Sequence, residues 1–241
     1  TVSAVFYVLR LLLGRDAPTN DGLLRRAQIT TRTGTVVDAC YPAAVAAGNV
    51  ETSQRLVDVL LACFAQIFGE ECPAGSAGTM TNVTFGSPPQ AAADGRFTYY
   101  ETLGGGAGGG PAGAGAHALQ THMTNTRNTP IESFERELPV RVLEQTVRRK
   151  SGGRGAQPGG DGIRRRLQFL EPASAAWIAD RQRRGPAGLE GGEDGQPGRI
   201  AVRWPGEKRA RAQAGKAACD LPAGSELELE TPGGGGFGTP E

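Results

Sequence analysis

The sequence predicts an α+β fold, with a helical N-terminal part followed by a β-rich part joined by Gly/Pro loops. Two observations carry this. Residues 3–13 and 52–68 place apolar side chains at spacings of three and four, the period of a helix face. From residue 79 onward, short Val-, Thr- and aromatic-rich runs alternate between glycine blocks, the pattern of half-buried strands separated by turns.

Taken in order, residues 3–13 read as a helix closed by Gly14, and PTNDG at 18–22 as a turn. Residues 28–38, two Thr/Val-rich runs around Thr33-Gly34, predict a hairpin. In the second helix Leu56, Leu60, Cys63, Phe64, Ile67 and Phe68 mark a broad apolar face. The polar run 48–54 lies at its start, where free N–H groups favour anions and capping side chains. Strands are expected at 79–85, 96–102, 140–147, 163–170, 199–204 and 226–231, and a short helix at 131–138 carrying Glu132 and Glu135 on one face. The linkers 151–162 and 185–198 are too Gly-rich to be helical. We divide the chain into a helix-containing part (1–78), strands with Gly-rich and polar loops (79–147), and a β-rich part (148–241).

With 26 basic and 25 acidic residues there is no strong field for a nucleic acid or membrane partner. No apolar run approaches the roughly 18 residues of a membrane span. The four cysteines show no CxxC pairing, which fits buried thiols in a reducing cytoplasm. A helical pattern already under way by residue 4, with no initiator Met before it, leads us to expect further chain upstream.

The residues that promise chemistry cluster between Gly104 and Glu135. Gly104 to Gly115 holds eight glycines in twelve residues, either a loop whose backbone presses against a substrate or anion, or a connector. Its GxGxxG match opens no helix and no GK[ST] follows, so neither a dinucleotide fold nor a P-loop is indicated. Segment 121–132 gathers His122, Asn125, Thr126, Arg127, Asn128 and Glu132. His122 suits a metal ligand or general base, and Arg127 suits a carboxylate or phosphate. The bland alternative is a loop whose Asn and Thr side chains satisfy backbone groups. His117 and His122 with nearby carboxylates are a further candidate, for zinc or manganese. Basic clusters at 148–150, 164–166, 181–184 and 208–211 read as solvated strand faces.

Blocks in a fixed order carry a resemblance: GNVETSQR (48–55), PAGSAGTMTNVTFG (73–86), YYETLGGGAGGG (99–110), THMTNTRNTPIESFE (121–135), LPVRV (138–142), SGG with GGDGI (151–163) and TPGGGGFGTP (231–240). This set resembles the hydantoinase B family, which includes the B-type subunits of N-methylhydantoinases, the equivalent half of 5-oxoprolinases, and related subunits of acetone and acetophenone carboxylases. The resemblance implies the C-terminal half of a B-type subunit that works in a hetero-oligomer with an A-type partner. That partner uses ATP and Mg²⁺ to phosphorylate an amide or carbonyl oxygen. The B-type subunit then completes hydrolysis of a small cyclic amide, or carboxylation of a ketone, with a divalent metal (Mn, Zn or Fe) bound mainly by the upstream half. A non-catalytic assembly module for the A-type subunit is the reading from another class. Matched to the family's motifs, His122, Asn125, Arg127 and Glu132 are the expected catalytic residues. Asn49, Glu51, Thr52, Gly104, Gly105, Gly106, Thr126 and Asn128 are the expected substrate-binding residues. Residues 153–159 depart from the family's Arg- and aromatic-bearing version.

Overall fold

The computed structural model describes residues 1–14, 16–90 and 96–240. Helix α1 (Val2–Leu12) is followed by a single helical turn, α2 (Asp21–Leu24), which overlaps the end of the turn expected at 18–22. A π-helical turn (Gly48–Thr52) leads into α3 (Ser53–Phe68), which ends at Gly69 with φ 52°. Ala4 and Val8, one turn apart on α1, pack on Val57 and Leu61 of α3 and make a small apolar core.

The expected hairpin at 28–38 does not form. Only a single bridge joins Thr35 to Asp38, and Val36 stays 79% exposed. With no sheet alongside, two short strands cannot bury a face and the pairing stops at one turn.

Nine strands follow among the described residues: β1 (Asn82–Gly86), β2 (Thr98–Thr102), β3 (Val140–Arg148), β4 (Gly162–Phe169), β5 (Ala173–Ile178), β6 (Arg199–Arg203), β7 (Arg211–Ala212), β8 (Lys216–Leu221) and β9 (Glu226–Glu230), with α4 (Ile131–Glu137) before β3. All pairings are antiparallel, in a four-stranded sheet ordered β2-β1-β5-β8 and a five-stranded one ordered β3-β4-β9-β6-β7. Alternate residues turn inward: Val83 and Phe85 on β1 and Trp177 on β5 meet Leu167 and Phe169 on β4 and Leu227 and Leu229 on β9 in one core.

The basic cluster on β4 divides by the strand's period of two. Arg164 and Arg166 lie on the outer face and pair with Glu228 at 2.7 Å and Glu226 at 3.1 Å across β9. Arg165 does not share that face. It is fully buried, pairs with Glu101 of β2 and stacks 5.0 Å from the centre of the Phe134 ring. Glu101 in turn accepts from the Tyr99 hydroxyl at 3.0 Å, so the buried pair is embedded in a polar cluster.

The glycine blocks have a shared purpose. Segments 73–78, 104–110, 151–160, 185–195 and 233–238 run side by side, each hydrogen-bonded to more than one neighbour. Ala74 N–H donates to Gly109 O at 2.8 Å, Gly109 to Gly235 at 2.9 Å, Gly235 to Gly75 at 2.8 Å, and Gly75 to Ala187 at 2.9 Å. Gly160 donates to Ala107 and Gly234 to Gly160, both at 2.8 Å. At its closest approaches the stack admits only glycine: a Cβ on Gly106 would stand closer than 3.0 Å to the Gly160 carbonyl oxygen, a separation real Cβ atoms essentially never show. The expected loop is therefore packed interior and not a slack connector.

Candidate functional site

The stack and the α1–α3 pair enclose a polar region along one face of α3. Glu51, Gln54, Arg55 and Asp58 recur at three- and four-residue spacing from the π-helical turn into the helix, so their side chains leave it on the same side. Glu51, Gln54 and Asp58 are buried, which requires partners from elsewhere in the chain.

Glu51 is held by three donors. Met80 N–H at 3.1 Å and Asn82 Nδ2 at 2.8 Å reach Oε1, and Asp180 N–H reaches Oε2 at 3.1 Å. Burial pushes its carboxyl up to about 7; hydrogen bonds from Thr79 and Met80 oppose the shift, and the charge of Asp180 adds to it. Glu51 also lines a cleft of about 750 Å³, together with Thr52, Arg55, Asp180 and Lys216.

One turn along, Gln54 joins the helix to the polar loop, donating to Thr121 O at 2.9 Å and accepting from Met123 N–H at 3.5 Å. Between those two contacts stands His122, in the left-handed region at φ 57°. Its Nε2 lies 3.6 Å from Asp58 Oδ1 and its Nδ1 3.5 Å from the Tyr7 hydroxyl, with the two rings edge to face. Burial raises the Tyr7 hydroxyl above the usual phenol range.

Asp58 is the hinge of the cluster. Arg181 donates to its Oδ2 at 2.7 Å, and Arg55 Nη1 stands 3.6 Å from the same oxygen. The approach depends on Gly78 at φ +64°, because a Cβ there would collide with Asp58 Oδ2. Four buried polar atoms meet here without a hydrogen-bond partner among the described residues: Arg55 Nη1, Asp58 Oδ1, His122 Nε2 and Arg181 Nε. Orphans gathered around one carboxylate mark a place built for chemistry or a ligand.

The other expected residues lie elsewhere. Asn49, Asn125, Arg127 and Glu132 are exposed. Thr126 and Asn128 bind β2: the Thr126 hydroxyl pairs with the Thr102 hydroxyl at 2.7 Å, and Asn128 Nδ2 donates to Thr102 O at 2.8 Å, the latter being the backbone-satisfying role of the bland alternative. Gly104, Gly105 and Gly106 face backbone at Leu119, Pro232 and Gly160. His117 accepts from Asp161 N–H at 2.7 Å and stands beside the Asp161 carboxylate, whereas His122 stands beside Asp58, so the two histidines have separate surroundings. Among the described residues no three His, Cys, Asp or Glu side chains are grouped to hold a metal ion. The divalent metal implied by the resemblance therefore has no ligand set here.

Residues 1–240 match the model of the hydantoinase B/oxoprolinase family. The chain belongs to that family. It is 41% identical over 239 residues to 5-oxoprolinase 1 of Arabidopsis thaliana, covering 99% of this chain and 18% of the relative. Identity to the B-type subunit of a D-/L-hydantoinase of Pseudomonas sp. is 30% over 244 residues, covering 98% of this chain and 40% of the relative. The chain thus spans less than half the length of either. The fold is shared with the ATP-dependent caprolactamase of Pseudomonas jessenii, at a TM-score of 0.81 and 22% identity, covering 99% of this chain and 42% of that one.

Asp58, Arg55, Gln54, Asp180 and Arg181 are not picked out by sequence reasoning. The helical spacing of Glu51, Gln54 and Asp58 is the available signal, since polar residues on a face flanked by Val57 and Leu61 need an internal partner.

The raised carboxyl of Glu51 has a consequence for stability. Between about pH 4.5 and about 7 the folded chain keeps a proton on Glu51 that the unfolded chain has released, so this group's contribution falls as pH rises through that window. At about 1.4 kcal/mol per unit, the shift corresponds to about 3 kcal/mol. Urea unfolding across the window should show wild type losing stability relative to Glu51→Gln by that order. Parallel pH profiles for the two proteins would remove the effect.

Proposed function

We propose that the chain is the C-terminal portion of the B-type subunit of an ATP-dependent cyclic amide hydrolase, and that it completes hydrolysis of a substrate activated by an A-type partner. The relatives' names support the reaction class, since 5-oxoprolinase, hydantoinase and caprolactamase each denote opening of a cyclic amide, the last with ATP. The chain has no P-loop of its own, so ATP and Mg²⁺ are assigned to the partner. Four free cysteines fit a reducing cytoplasm.

The observation that carries the reading is Glu51, a buried carboxyl poised near neutral pH on the wall of a cleft. A ring amide resists water because its carbonyl is a poor electrophile; phosphorylation of the oxygen removes that obstacle and leaves a proton to be moved. Glu51 has the affinity to take one from attacking water and return it to the departing ring nitrogen; the acyl phosphate left by C–N cleavage then gives the free acid and inorganic phosphate with a second water. His122, oriented by Asp58 and Tyr7, is the second proton-handling group.

The test is ATP-dependent ring opening of 5-oxoproline, hydantoin and caprolactam with the A-type partner, with and without bicarbonate. Ring-opened product formed without bicarbonate is expected. Its rate should fall as pH drops below about 7, and Glu51→Gln should lose that limb. ATP turnover that needs bicarbonate points to a ketone carboxylase instead. Full activity in variants of both Glu51 and His122 leaves this chain an assembly module.

A further inference from the structure

Arg55 stands at the junction of three cavities. It lines the cleft of about 750 Å³ beside Glu51, a smaller cavity of about 210 Å³ beside Asp58, and a third of about 760 Å³. The third cavity is walled by Arg55, Arg181, Arg183, Arg184 and Lys216, with Asp180 as its one carboxylate. Lys216 is engaged by Asp180 at 2.9 Å, and Arg181 by Asp58. Arg183 and Arg184 are exposed and have no ion-pair or hydrogen-bond partner among the described residues. Arg55 and Arg181 both approach Asp58 Oδ2, Arg55 through Nη1 at 3.6 Å and Arg181 through Nη2 at 2.7 Å, and Arg181 Nε is buried without a hydrogen-bond partner among the described residues.

We propose that Arg55 and Arg181, flanked by Arg183, Arg184 and Lys216, form a binding site for the phosphoryl group of a small molecule. Five cations stand against the carboxylates of Asp180 and Asp58, an excess of three positive charges that a phosphoryl group of nearly two negative charges offsets further than a single carboxylate does. Guanidinium groups present N–H donors in a fixed fork that matches phosphate oxygens, and four of them line this one cavity. The cavity has the size of a small-molecule site rather than of a macromolecular footprint.

Calorimetric titration of the protein with inorganic phosphate at low salt and neutral pH tests this, with succinate as the carboxylate probe. Phosphate should bind saturably and more tightly than succinate. The double variant Arg183→Ala/Arg184→Ala should weaken phosphate by about tenfold or more while its thermal midpoint stays at the wild-type value, since neither side chain holds a partner. Arg55→Lys, which keeps the charge and loses the fork, should also weaken it. The site is overturned if phosphate does not saturate, if succinate binds as tightly, or if both variants bind phosphate like wild type. The measurement needs neither ATP nor the A-type partner. A protein that opens no cyclic amide can still bind phosphate here, and one that hydrolyses normally can fail to, so the two readings stand or fall apart.

Discussion

Gly106→Ala should leave little or no folded protein, a loss above about 4 kcal/mol. One methyl group is a small change, and where space and backbone angles allow it the cost is slight. At Gly106 the added carbon falls on the Gly160 carbonyl oxygen and on Gly234 N, both backbone atoms locked in their own hydrogen bonds. No rotamer relieves the overlap, so two strands of the stack must separate, exposing the donors and acceptors they had satisfied. Gly48→Ala is the matched control, because a Cβ there meets nothing within 4 Å. Urea unfolding of the two variants should differ by several kcal/mol. Equal stabilities would mean that the stack yields more readily than its backbone contacts allow.

His122→Asn should lower turnover by about a hundredfold or more in the ring-opening assay with the A-type partner, with the chain still folded. Asparagine is the informative replacement because His122 sits at φ 57°, a conformation Asn tolerates better than Ala does. The variant removes the imidazole between Tyr7 and Asp58 and leaves Arg181 on Asp58 undisturbed. A variant that unfolds at the wild-type urea concentration but turns over at the wild-type rate takes His122 out of the mechanism.

The parts of the fold that are legible in the sequence are those whose cause is local. Residues 3–13 and 52–68 announce helices because apolar spacing within one element is enough to bury it, and the structure has α1 at Val2–Leu12 and α3 at Ser53–Phe68. Strands β5 and β8 escape such a reading for the complementary reason. ASAAWI and KAACDL hold three and two alanines in six residues, and alanine carries no strand preference of its own, so the neighbouring strands of the sheet make them extended. Arg165 reads with its neighbours as surface, since the Glu101 carboxylate that admits it to the core lies 64 residues away. The site divides in the same way. His122 and Glu51 stand out by residue type within polar runs, whereas Asp58 and Arg181 become a pair across 123 residues of sequence.

The glycine stack also sets an order of events. Gly75 lies in the segment that carries Gly78 toward Asp58, and the Gly75 carbonyl is engaged by Gly235. A ribosome making this chain has therefore to deliver residues 233–238 before residues 73–78 can settle, about 160 positions and many seconds after the earlier segment emerged. During that interval Asp58 and Arg181 can exist without the wall that holds them together. The polar cluster is completed late in synthesis, and a nascent chain stalled before the tail is made should be without it.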